Sequence, residues 1–143
     1  MDYRGLASKL RAMVRNAATR EDLTMVLNGT SFRITCAGFQ PSEISFLSIR
    51  NLLTADHDDP PAETFYIINR DSSELAAFLP ETLRIPEGRF IHSSEEGRAA
   101  LSLEYGFFSL YLSDEHETFI WLCSDKQSPD NFKIGRASCR ERV

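Results

Sequence analysis

The densest group of potential ligands in the chain is Asp56-His57-Asp58-Asp59, where three carboxylates and an imidazole fall in one uninterrupted run. Carboxylates are hard ligands and imidazole a borderline one, so such a run can hold a divalent cation. The spacing is not that of an EF-hand loop, because the glycine and the closing glutamate are absent. Pro60-Pro61 follows directly, and charge ahead of two prolines is equally what ends a helix and opens a solvated loop. The expectation is the loop, with no metal and no cofactor. Asp56, His57, Asp58 and Asp59 are the candidates should a cation bind.

Nucleophilic chemistry has thinner support. His57, His92 and His116 lie far apart, and the last two fall at a strand end and in a turn, where surface histidine is the plainer reading. Cys36 and Cys123 sit inside apolar, strand-like stretches and read as buried free thiols rather than a disulfide or a metal pair. Triad partners meet in space rather than in sequence, so a cysteine–histidine pair stays open, although neither cysteine has a local activating pattern. No G-x-S-x-G elbow, G-x-x-x-x-G-K-[ST] loop or G-x-G-x-x-G turn occurs, which leaves a nucleotide without a glycine cradle. No catalytic residue is assigned.

Two further groups have a functional and a structural reading. Glu95, Glu96, Glu104, Glu115 and Glu117 would serve acid–base work if a cleft separated their proton affinities; on hairpin turns such charges usually keep a surface soluble. Trp121 with Phe107, Phe108, Tyr111 and Phe119 would make an aromatic platform, but at strand alternation they read as core.

The elements that would position these residues follow from hydrophobic period. Leu6, Leu10, Met13, Val14 and Ala17 recur at helical spacing, with Arg4, Lys9, Arg11 and Arg15 on the other faces. This predicts an amphipathic helix within residues 1–20 whose basic face is solvated, the alternative being contact with an acidic membrane or partner. In DLTMVLNGTSFRITC, Leu23, Met25 and Leu27 alternate with polar residues, as do Phe32, Ile34 and Cys36. Asn28-Gly29 between them suits a type I′ turn, and the segment reads as a β-hairpin.

From Ser42, a suitable N-cap, Ile44, Phe46, Leu47, Ile49, Leu52 and Leu53 predict a helix apolar enough to be buried on a sheet. Thr64–Ile68 reads as a buried strand, and Ser72 or Ser73 as the cap of a short helix through Phe78. The stretches Arg89–His92, Ala99–Glu104, Phe107–Leu112 and Thr118–Cys123, separated by short turns, predict an antiparallel meander. The fold class expected is α+β: an N-terminal amphipathic helix, an antiparallel or mixed hairpin-rich sheet of six or seven strands, and one buried helix packed on it.

The C-terminal KIGRASCRERV, Lys133–Val143, has no period that would let it pack. Ile134–Val143 resembles the translation of a common short-read sequencing adapter, so residues 134–143 are set aside as a non-native tail on a truncated fragment, from an environmental or transcript read. Setting them aside takes Lys plus Arg from 16 to 13 and Asp plus Glu from 21 to 20, a net charge of −7 in place of −5. The full chain is 42% hydrophobic, and positions 21–133 suit a single α+β domain. The acidic balance argues against nucleic acid, which needs clustered Lys and Arg. No apolar run approaches the ~18 residues of a transmembrane span and no leader-like segment opens the chain, so the expected location is cytoplasmic.

The succession LTMVLNGTSFRITC, SEISFLSIRNLL, TFYIIN and GRFIHSSEEGRAALSLEYGFFSLYL, from Leu23 to Lys133, resembles the region ahead of the kinase domain in bacterial proteins related to HPr serine kinase. The likeness rests on element order and hydrophobic positions. It implies a non-catalytic N-terminal domain of a longer bacterial protein, partnered by the missing downstream part of its own chain. That family's phosphate-binding loop would lie downstream, so no catalytic residue carries over. The alternative is a stand-alone acidic, protein-binding module of immunity or adaptor type, which should present an exposed apolar strand edge. A small enzyme using the carboxylates or cysteines is the third reading.

Overall fold

The computed structural model describes residues 2–39, 53–54, 60–81 and 89–126. Helix α1 spans Tyr3–Arg15 and is followed by the hairpin β1 (Arg20–Leu27) and β2 (Thr30–Ala37). Asn28 and Gly29 take φ of 52° and 77° at its tip, the left-handed pair that a type I′ turn requires. A two-residue strand β3 (Leu53–Thr54), β4 (Glu63–Arg70) and helix α2 (Ser72–Phe78) come next. Strands β5 (Arg89–Ser93), β6 (Gly97–Ser102), β7 (Phe107–Leu112) and β8 (Glu117–Cys123) complete the described chain.

All eight strands form one sheet in the order β3-β1-β2-β4-β8-β7-β6-β5. The fold is therefore α+β with a mixed sheet. The meander β5-β6-β7-β8 is antiparallel, as its short turns dictate. At the centre, β4 runs parallel to both β2 and β8, because long connections return the chain to the same end of the sheet before each pairing. Side-chain period carries no direction, so the parallel centre was invisible to alternation.

Two predicted details change. Leu53, expected at the end of a buried helix, instead pairs with Met25 in β3; the rest of that helix, from Ser42 to Leu52, lies outside the described residues. The cap of α2 is Asp71, not Ser72 or Ser73: its carboxylate accepts from the Glu74 N–H at 2.8 Å. A carboxylate at this position also faces the positive end of the helix dipole. Ser72 is engaged elsewhere, its hydroxyl donating to Asp125 at 2.5 Å.

The sheet is apolar on both faces. Phe107 and Phe108 belong to different buried clusters, as do Ile67 and Ile68, Ala99 and Ala100, and Ile120 and Trp121. Strands buried on both sides read as continuous apolar runs, which is why ETFIWLC and YIIN hardly alternate. On one face Tyr3, Leu6, Ala7, Leu10 and Val14 of α1 join Phe108, Leu110, Phe119 and Trp121. Leu75 of α2 sits in the same cluster. Leu10 has no exposed surface, and full burial of such a side chain is worth about 1.5–3 kcal/mol. Helix α1 thus shares one core with the sheet. On the opposite face Ile34, Cys36, Ile67, Ile120 and Leu122 form the second cluster.

Candidate functional site

Asp56, His57, Asp58 and Asp59 lie outside the described residues, as do residues 134–143. Among the described residues no group of three or more His, Cys, Asp or Glu is placed to hold a metal ion, and no helix is long and apolar enough to cross a membrane. Cys36 and Cys123 are free and fully buried. Burial, reinforced by nearby carboxylates, pushes their thiols up to about 12 and about 11. A nucleophilic cysteine needs the opposite shift, so at neutral pH both are packing residues. Trp121, Phe107, Phe108 and Phe119 are buried as core, with the Trp121 indole N–H donating to the Arg70 carbonyl at 3.3 Å.

The carboxylates divide. Glu95, Glu96, Glu104 and Glu115 are exposed on turns. Glu117 is not a solubilising charge: only 15% of its side chain is exposed, and it receives a forked contact from Arg11 of α1, with Nε donating at 3.1 Å and Nη2 also bonded. Arg11 lies over the Phe119 ring, 5.7 Å from its centroid, and Tyr66 stacks on that same ring with centroids 4.8 Å apart. The hydrogen bond that Arg11 donates to Glu117 raises its guanidinium. Burial, then the bond to Glu117, raises the Tyr66 phenol, with Arg11 and Arg33 opposing. Both groups stay protonated, so this cluster anchors α1 on β4 and β8 rather than moving protons. Arg4 reaches Asp114 and Glu115 in the β7–β8 turn, so the helix face read as solvated is partly tied to the sheet.

The histidines differ from one another. His116 is 62% exposed, with Nδ1 3.3 Å from Glu63. His92 projects from β5 to the buried Tyr3, whose hydroxyl lies 2.5 Å from Nδ1 and 3.3 Å from the His92 carbonyl oxygen.

That contact leads to the outer edge of the sheet. Ser94 and Gly97 exchange both main-chain bonds, at 2.9 and 3.3 Å, which fixes the alternation along the antiparallel β5–β6 pair. Phe90 and His92 turn their backbone groups inward to β6; Arg89, Ile91 and Ser93 turn theirs outward. Among the described residues no strand pairs with that side of β5. Ile91 lies midway along it and is 53% exposed, one of two exposed large hydrophobic residues among the described ones, the other being Tyr105 in the β6–β7 turn. The opposite edge is β3, which among the described residues pairs with Thr24 and Met25 of β1. Short edge strands, prolines and lysines are the usual guards of a sheet edge; β5 carries neither a proline nor a lysine.

No family model, curated protein or solved structure matches the chain. The site therefore has to be read from its geometry. Sequence reasoning identified Arg89–His92 as a strand but missed that it closes the sheet, since strand order is not written in side-chain period. The one available signal was Ile91 flanked by Phe90 and His92, which gives β5 no clean polar face.

Proposed function

We propose that this domain is a non-catalytic module that works by protein contact, through the outer edge of β5. The observation that carries the reading is the outward main chain of Arg89, Ile91 and Ser93 with exposed Ile91 at its centre. Unpaired N–H and C=O groups along a strand offer a partner strand its hydrogen bonds, and an apolar side chain among them adds burial. Three of the described polar clusters support the same reading, because they are satisfied inside the fold: Arg11 with Glu117, Asp71 with Glu74 and Ser73, Asp125 with Ser72. The arrangement implied by the resemblance to HPr-kinase-related proteins, with this module ahead of a P-loop domain, is one form of the proposal. Translating the flanking DNA past Lys133 tests that form: a glycine-rich loop ending in Gly-Lys-Ser/Thr supports it, and an immediate stop codon removes it.

The contact itself is tested by placing a photoreactive aromatic amino acid at position 91 of the full chain, with Tyr105 as the comparison position. A protein adduct of one defined mass at position 91, absent at position 105, is the expected result. No adduct at position 91 overturns the reading.

A further inference from the structure

Resting on that reading, we infer that the partner strand at β5 is β5 of a second copy, paired antiparallel about a two-fold axis at Ile91. The argument is one of self-complementarity. A two-fold axis at Ile91 opposes Ile91 to Ile91, Phe90 to His92 and Arg89 to Ser93. Because Arg89, Ile91 and Ser93 all turn their backbone groups outward, every opposed pair that includes them exchanges main-chain bonds in both directions. Within Arg89–Ser93 no like charges meet across the axis, whereas a pairing centred on Arg89 would set two guanidinium groups face to face.

The side chains agree with that register. Phe90 packs half-buried against the same cluster as α1, and His92 is held on that face by Tyr3, so an aromatic–imidazole pair forms on each side of the axis. Ile91 falls on the other face, opposite Ala100 of β6, where its exposed surface would meet its own copy. Arg89 of one copy comes beside the acidic β5–β6 turn of the other, which carries Glu95 and Glu96; on a chain of net charge −5 this edge is where opposite charges meet. A two-fold axis uses the same edge of both copies, so this contact closes as a dimer.

The test uses the full chain with Cys139→Ser, so that the only other thiols are the buried Cys36 and Cys123. Residues that exchange main-chain bonds across an antiparallel pair have Cα atoms about 5.5 Å apart. That separation lies within the range a disulfide spans. Ile91→Cys should thus form a covalent dimer in a glutathione redox buffer, and Tyr105→Cys should not. Light scattering on the unmodified chain should show a concentration-dependent dimer that Ile91→Lys abolishes, with an unchanged circular dichroism spectrum. A chain monomeric up to about 1 mM, at the weak end of specific association, overturns the proposal. So does a dimer that Ile91→Cys fails to cross-link. The photoreactive group at position 91 separates the two readings: an adduct of twice the chain mass supports self-pairing. An adduct with a different protein overturns self-pairing and keeps the contact reading, and no adduct overturns both.

Discussion

Tyr3 and His92 are 89 positions apart in sequence and 2.5 Å apart in space. Tyr3 has 1% of its surface exposed, and His92 is the polar partner that lets its hydroxyl be buried. The pair ties the first turn of α1 to the outermost strand. Tyr3→Phe removes the bond and keeps the ring. It should lower stability by about 0.5–1.5 kcal/mol, the net worth of one such bond. Denaturant titration measures this. An unchanged midpoint would mean that the hydroxyl contributes nothing to the docking of α1.

The Arg11–Glu117 pair should be worth more than an ordinary surface ion pair, since Glu117 is largely buried and its contact is forked. Arg11 is 37% exposed, however, and solvent screens the attraction. A double-mutant cycle of Arg11→Met and Glu117→Gln should give a coupling of about 1 kcal/mol, the top of the surface range. A coupling indistinguishable from zero would reduce the pair to incidental contact. Glu117→Gln alone should also relax the phenol of Tyr66 towards its ordinary value, read by ultraviolet titration.

The sequence made the hairpin and the meander legible for definite physical reasons. Asn28-Gly29 can hold two left-handed residues in succession, and Tyr105-Gly106 and Ser113–His116 break apolar runs at hairpin distances. What stayed hidden is long-range. The period of TFYIIN predicts a buried strand but not that β4 lies between β2 and β8 with both parallel. The fate of Glu117 depended on Arg11, 106 positions earlier, and no local pattern joins them. The open edge was hidden for the same reason: RFIHS becomes an edge only once seven other strands are placed.

Burial of the two thiols makes stability depend on alkaline pH. Both are raised from an unfolded value of 9.0, to about 12 for Cys36 and about 11 for Cys123. An acid whose folded value is raised favours the folded state fully below its unfolded value. That contribution is lost as pH rises, because the unfolded chain then releases protons that the folded chain retains. Stability should be flat with respect to these groups below pH 9 and fall between 9 and about 12. Cys36→Ala should shallow the fall over this window. Equal slopes for the two proteins would show that Cys36 does not carry it. In the Cys139→Ser background, neither thiol should react with an aromatic disulfide reagent at pH 8 until denaturant is added.

Gly97 illustrates a glycine required by close approach rather than by a left-handed backbone. A Cβ at this position would lie 1.9 Å from the Tyr111 carbonyl oxygen and 3.4 Å from the Leu112 Cα, both main-chain atoms of β7 that cannot swing aside. Position 97 opens β6 directly after the acidic turn, and its bonds with Ser94 set the alternation that leaves Ile91 facing outward. Gly97→Ala should therefore force β6 and β7 apart and destabilise the protein by about 1–3 kcal/mol or more, the range of overpacked sites. Thermal unfolding measures the loss. The same variant should raise amide exchange at Ala99 and Leu101, whose backbone groups face β5, before it affects the distant β1–β2 hairpin. Uniform acceleration across the sheet would indicate global loss of stability instead of a local break at the β5–β6 edge.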